Sequence, residues 1–155
     1  MIHDVVYLPE YEWTIDVYFA VTHYDIDDIM LSLWSIGCDA ANAERAYDNL
    51  SSGKLDNGIT YSNRLMRHSV LVVGMASDAS QFVNSFVHEV DHLGRHISKM
   101  LGIDQDSEEV SYLCGDIAQM LFASSHELFC EGCRKELLPG RLNQRCNKNR
   151  NTSTP

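Results

Sequence analysis

The chain has 155 residues, of which 45% are hydrophobic and 22% charged, proportions that suit one soluble globular domain with an ordinary core. Its 22 acidic against 12 basic residues leave a formal net charge of -10. That balance argues against nucleic acid as a partner, because phosphate binding needs clustered Lys and Arg. No apolar run approaches the roughly 20 residues of a membrane span. Residues 1–19 carry Asp4, Glu10, Glu12 and Asp16, where a signal peptide needs a basic start and an unbroken apolar stretch. The 5 cysteines are an odd number, at Cys38, Cys114, Cys130, Cys133 and Cys146, and predict reduced thiols and a cytoplasmic location.

In chain order, residues 12–21 come first. Trp13, Ile15, Val17 and Phe19 alternate there with more polar neighbours, the pattern of a half-buried strand. Asp25 is positioned to cap a helix in which Ile26, Ile29, Met30, Leu33 and Trp34 recur at helical spacing, with Gly37 as its end. Residues 39–50 have the Ala, Glu and Arg content of a second helix. Residues 54–58 read as a turn, built on Asp56-Asn57-Gly58. A short strand is predicted at 59–61 and a stronger one at 68–74.

Ser77 or Asp78 then caps a long helix to about Leu101, with Phe82, Phe86, Val90, Leu93, Ile97 and Leu101 on one apolar face and Gly102 as the stop. Another helix starts at Asp106 or Ser107 and runs to about Phe129, with Val110, Leu113, Ile117, Met120 and Leu121 inward. The sequence is basic and polar from Pro139 onward. The expected organisation is one α+β domain over residues 1–138, with a small mixed or antiparallel sheet and two long C-terminal helices, followed by a flexible tail over residues 139–155.

The segment that carries chemistry is His88-Glu89-Val90-Asp91-His92, an HExxH on the long helix. Residues four apart share a helix face, so the two imidazoles can bind one zinc ion at ~2.0–2.1 Å. Glu89, next to the first ligand, is placed to act as general base toward a water that the metal activates. Val90 points to the other side, into the core. Catalytic zinc usually takes three protein ligands, and the next helix offers carboxylates in its first turn, Glu108 and Glu109. The alternative is that His88 and Glu89 are merely solvent-exposed and that Glu108 and Glu109 merely complement a helix N-terminus.

These two segments, His88-Glu89-Val90-Asp91-His92 and Glu108-Glu109-Val110-Ser111-Tyr112-Leu113-Cys114-Gly115, resemble small gluzincin-type zinc metallopeptidases, compact members of which are common in phages and mobile elements. Such proteins carry HExxH on one helix and a Glu on the next, often shortly before an Ala-Tyr pair and a Gly. Here Ser111 stands in place of the Ala. The resemblance covers about residues 68–122. It implies a zincin-like fold, His88 and His92 as ligands, Glu89 as base, and Glu108 as third ligand by its distance from Tyr112, with Glu109 as the alternative. It also implies that the strand before the active helix is a sheet edge, so that residues 69–73, with Val70, Leu71 and Val72 at their centre, would align a peptide main chain to main chain. A plain sheet strand is the other reading.

Weaker candidates surround this core. His96 continues the spacing of His88 and His92, yet about 12 Å of helix rise separates His88 from His96, so it fits the rim better than the metal. Asp91 could orient a ligand histidine, and Tyr112, His68 or His23 could donate to an oxyanion. His126, Cys130, Cys133 and Cys146 could form a second, structural zinc site that pins the tail, free thiols being the default. The function expected is a zinc-dependent peptidase with Zn2+ as cofactor and a peptide or protein as substrate. The alternatives are a non-catalytic zincin-like module that binds a peptide or partner, and a metal-stabilised structural protein of a phage or mobile element.

Overall fold

The structure, a computed structural model, describes residues 1–125 and Leu128. Four strands and four α-helices follow one another as β1 (Ile2–Leu8), β2 (Trp13–Val21), α1 (Ile26–Ser35), α2 (Ala40–Ser51), β3 (Gly58–Asn63), β4 (His68–Gly74), α3 (Ala79–Leu101) and α4 (Glu108–Ser125). The strands form one mixed sheet in the order β1-β2-β4-β3. β1 runs antiparallel to β2, β2 parallel to β4, and β3 antiparallel to β4. The architecture is α+β, as expected. The second zinc site (His126, Cys130, Cys133, Cys146) and the tail over residues 139–155 lie outside the described residues.

Local chemistry accounts for most boundaries. Asp39 caps α2 by accepting the Asn42 N–H at 3.0 Å, and Asp78 caps α3 by accepting those of Ser80 and Gln81 at 2.8 and 3.0 Å. Gly102 ends α3 in the left-handed region, with φ of 72°, where a Cβ would be strained. Asp25 does not cap α1 with its side chain; it accepts the Thr22 N–H at 2.8 Å and braces the turn before the helix.

Each sheet face buries a core of its own. Trp13, Ile15, Val17 and Phe19 of β2 and Leu71 and Val73 of β4 pack under α3 and α4, and the four β2 residues have 0% exposure, so the alternation read from sequence is the burial pattern. Tyr18, Val70 and Val72 face α1 and α2. A fully buried aliphatic side chain of this kind contributes roughly 1.5–3 kcal/mol, so two opposed cores hold the sheet between helix pairs. The helix faces match expectation at most positions, with three exceptions: Trp34, Leu101 and Met120 are exposed. Each sits at the margin of its stripe, where helical periodicity stops discriminating inside from outside.

β1 has no counterpart among the predicted elements. Only Val6 and Leu8 of its residues are buried, so this edge strand lacks the alternating apolar signature of β2. Among the described residues no helix is long and apolar enough to cross a membrane.

α4 packs against α3 where Gly94 faces Cys114. A Cβ built on Gly94 would overlap the Cys114 sulfur while lying 3.9 Å from its Cβ, an ordinary contact. Gly94→Ala should therefore lose about 1–3 kcal/mol through overpacking, although alanine is the better helix former. Gly94→Ala combined with Cys114→Ala should recover most of that loss. Chemical denaturation of the four proteins of this cycle checks it, and additive effects would mean that the helices do not meet there.

Candidate functional site

α3 turns about 100° per residue, and its faces sort by what they meet. Phe82, Phe86, Val90, Leu93 and Ile97 lie in the core, and Gly94 meets α4. The side carrying Ser85, Glu89 and His96 meets β3. His88 and His92 stand beside that seam, exposed. Their Nε2 atoms are 3.1 Å apart with the rings edge to face. Two nitrogens bound at ~2.0–2.1 Å to one tetrahedral zinc would be about 3.3 Å apart, so the imidazoles already have the spacing of two ligands to one metal.

Glu89 turns into the seam. It is 3% exposed, and its Oε2 accepts the Thr60 hydroxyl at 2.7 Å. Burial raises its pKa above the ordinary carboxylate range, against the opposing effects of the Thr60 hydrogen bond and of His92 and His88. A carboxylate so shifted is a stronger base at neutral pH. Glu89 needs Gly58: a Cβ there would lie 2.6 Å from Glu89 Cγ and would overlap its Oε1. Glu89 and His88 share the wall of a recess of about 320 Å³, so solvent in the recess reaches both.

Two further bonds fasten β3 and the turn before it to α3. The Ser85 hydroxyl donates to the Asp56 carbonyl at 3.1 Å, and Ser62 Oγ lies 2.9 Å from His96 Nδ1. The second continues a buried chain. Trp13 Nε1 donates to Ser69 Oγ at 2.8 Å, and Ser69 Oγ lies 2.7 Å from Ser62 Oγ. Ser69 has 0% exposure, so its proton needs a protein acceptor, which Ser62 provides. Ser62 then donates to His96 Nδ1, which leaves the His96 proton on Nε2.

The other expected residues fall differently. β4 is not an edge: it pairs with β2 on one side and β3 on the other, and Val70, Leu71 and Val72 have 0% exposure. Those three residues cannot align a peptide, because their backbone groups are engaged and their side chains lie in the two cores. The edge on that side is β3. Glu108 and Glu109 are exposed at the start of α4, and among the described residues no three of His, Cys, Asp and Glu are placed to hold a metal ion. The donor set thus fits zinc in two of the usual three protein ligands, and neither glutamate is brought to the pair. Tyr112 is 69% exposed on α4.

Asp91 is held by Arg95, whose Nε donates to it at 2.8 Å. That hydrogen bond and the guanidinium charge keep its carboxyl below the ordinary range, so it serves Arg95, and among the described residues it makes no hydrogen bond to His88 or His92. His68 lies 3.0 Å from Asp16, on the sheet face away from α3. His23 packs on Tyr24 in the turn before α1. Neither belongs to this site.

Gly58, Thr60, Ser62 and Asp56 are site residues that sequence reasoning missed. Their signal was there: Gly58, Thr60 and Ser62 alternate as small or hydroxyl residues opposite Ile59 and Tyr61, a strand face shaped to lie against a polar helix surface.

No family model matches the chain, and no curated protein or solved structure matches it either.

Burial lowers the His96 pKa, with the positive neighbours His92, Arg64 and Lys99 adding to the effect. The folded protein therefore binds fewer protons at this site than the unfolded chain just below about pH 6.5, the unperturbed value. Stability should rise with pH through that window and be lost as the pH falls through it. Thermal melts in chelator from about pH 5 to 7.5 should show a shallower acid loss for His96→Gln than for wild type. Equal slopes would place His96 outside the buried network.

Proposed function

We propose that this protein is a zinc-dependent peptidase of zincin-like type, in which His88 and His92 hold the metal and Glu89 is the general base. The observation that carries the reading is the pairing of two imidazole nitrogens 3.1 Å apart with a carboxyl that is buried, raised in pKa and open to the same recess. Glu108 is the third ligand in this reading, with Glu109 as the alternative, following the resemblance of residues 88–92 and 108–115 to gluzincins. When bound, zinc would polarise a peptide carbonyl and lower the pKa of water.

The chain's own residues do the rest. Glu89 takes a proton from water in the recess and returns it to the leaving amine. Thr60, donating to Oε2, leaves the other carboxyl oxygen for that exchange and fixes the side-chain rotamer. The substrate main chain pairs along the open edge of β3, whose inner edge is occupied by β4, adding a strand to the sheet. This assigns to residues 58–63 the role that the resemblance gave to residues 69–73. Gly58 keeps the strand close enough to Glu89 for a paired peptide to lie over the histidines.

A second reading, a zincin-like module that binds a peptide without cleaving it, draws on the exposed position of Glu108 and Glu109. The two readings separate on Glu89, which binding alone does not require.

Elemental mass spectrometry of freshly purified wild type should find about one zinc per chain, lost in His92→Ala and reduced in either Glu108→Gln or Glu109→Gln. Glu89→Gln should keep the zinc and lose about 10²–10⁴-fold in turnover of an unfolded protein substrate. Gly58→Ala should also keep zinc and lose turnover, because it displaces Glu89. Zinc without turnover in wild type favours the binding module. A wild type that takes up no zinc on reconstitution refutes both readings.

A further inference from the structure

The recess beside the histidines has a chemical character of its own. Its volume, about 320 Å³, is at the small end of ligand pockets, about 300–1,000 Å³, and suits one side chain better than a cofactor. Asn49, Asp56, Asn57 and Asn84 line it together with His88 and Glu89. No Lys or Arg lines it, and its carboxyls are those of Asp56 and Glu89.

The donors and acceptors of this lining are partly committed. Asp56 Oδ1 accepts the Ser77 N–H at 2.9 Å, and the Ser77 hydroxyl bonds both carboxylate oxygens at 3.0–3.1 Å. These bonds fix the carboxylate, and among the described residues no Lys or Arg pairs with it. Asn49 uses its amide N–H on the Gly58 carbonyl, and Asn57 uses its own on Ser52. Each keeps one further N–H and its amide oxygen, so both can offer an acceptor to the recess. Asn84 is exposed on α3 and makes no side-chain hydrogen bond among the described residues, so its amide can turn its oxygen inward.

An apolar side chain placed here would strip water from these groups and return no hydrogen bond. An acidic one would meet Asp56 and Glu89 within a chain of net charge -10. A side chain made only of donors and carrying positive charge meets the carboxyls and the amide oxygens that the lining can offer: Lys brings three N–H donors and Arg five.

We propose that this recess is a specificity subsite for a lysine or arginine of the bound peptide, adjoining the residue pair at which His88 and Glu89 act. The proposal rests on the peptidase reading and deepens it by naming the substrate class: peptides with a basic residue beside the cleaved bond. The overall negative charge steers the same peptides toward the protein at low salt.

Fluorescence anisotropy tests it on the full-length Glu89→Gln protein supplied with zinc, so that the probe is not consumed. The probes are labelled peptides identical except for Arg, Lys, Gln, Leu or Glu at one position, scanned along the peptide. At one position Arg and Lys should bind at least tenfold tighter than Leu or Glu, and the preference should shrink as salt is raised. Asn84→Lys, at an exposed helix position, should bring the Arg peptide down to the Leu level, and Asn84→Asp should widen the gap. If Asn84→Lys fails to fold, Asp56→Asn takes its place. Equal binding of all peptides, tighter binding of Leu, a ratio indifferent to both substitutions, or no binding of any peptide overturns the proposal. A wild type that binds no zinc and cleaves nothing overturns the peptidase reading, yet a basic preference in binding would survive that result.

Discussion

Close approach of β3 to α3 is the constraint on which the rest of the site depends. A strand and a helix normally meet through apolar side chains, which keep their backbones apart. Here Gly58 removes the Cβ where Glu89 passes, and Thr60 and Ser62 replace apolar bulk with hydroxyls that bond Glu89 and His96. The seam is thus held by directional bonds where the remainder of that face is held by burial. Its geometry fixes the Glu89 rotamer and brings the open edge of β3 beside the exposed histidines. It also shapes the recess, whose walls come from α2, from the turn at residues 56–58 and from α3.

Buried polarity is concentrated along this line. Among the described residues the buried polar and charged ones are Ser69, Ser85, Glu89, Ser98 and Ser125, and the first three all lie on the β3 side of α3 or on the strand behind it. Glu89 is the only carboxyl among them. Burying a carboxyl opposes folding at neutral pH, since the folded state favours its protonated form, and a well-packed apolar residue would serve stability better. Local rules are broken where function needs them broken. The other side of α3, where Gly94 meets Cys114, obeys ordinary packing logic, so the two flanks differ in kind: directional bonds on the β3 side, close packing on the α4 side.

What the sequence made legible follows from the range of each signal. The periodicity of Phe82, Phe86, Val90, Leu93 and Ile97 is local, and it placed α3 and its buried face correctly. The i, i+4 spacing of His88 and His92 is equally local, and their ring nitrogens do meet. Strand order is non-local. Nothing within residues 68–74 distinguishes an edge strand from a central one except a nearly continuous apolar run, Val70 to Val73, which is the mark of a strand covered on both faces. Read that way, the run would have argued against an edge. β1 escaped for the opposite reason, because an edge strand with two buried residues carries little pattern. Gly58 was legible as a turn residue, and its second role, making room for Glu89, depends on a partner 31 positions away in sequence.

The position of α4 bears on what kind of site this is. Its buried stripe, Val110, Leu113, Ile117 and Leu121, commits the helix to the core and to Gly94, while Glu108 and Glu109 stand free in its first turn. Two histidines on a single helix, one turn apart, need no tertiary structure beyond that helix to meet. A third ligand from α4 would need it, and neither Glu108 nor Glu109 is brought to the pair by the core packing that α4 shares with α3. In the proposed zinc reading, affinity for metal would divide into a local part, set by α3 alone, and a tertiary part, set by where the first turn of α4 comes to rest. In that reading, a ligand supplied by α4 would couple metal binding to helix packing, so that substitutions at Gly94 or Cys114, which touch neither histidine nor glutamate, would act on the metal through the α3–α4 contact.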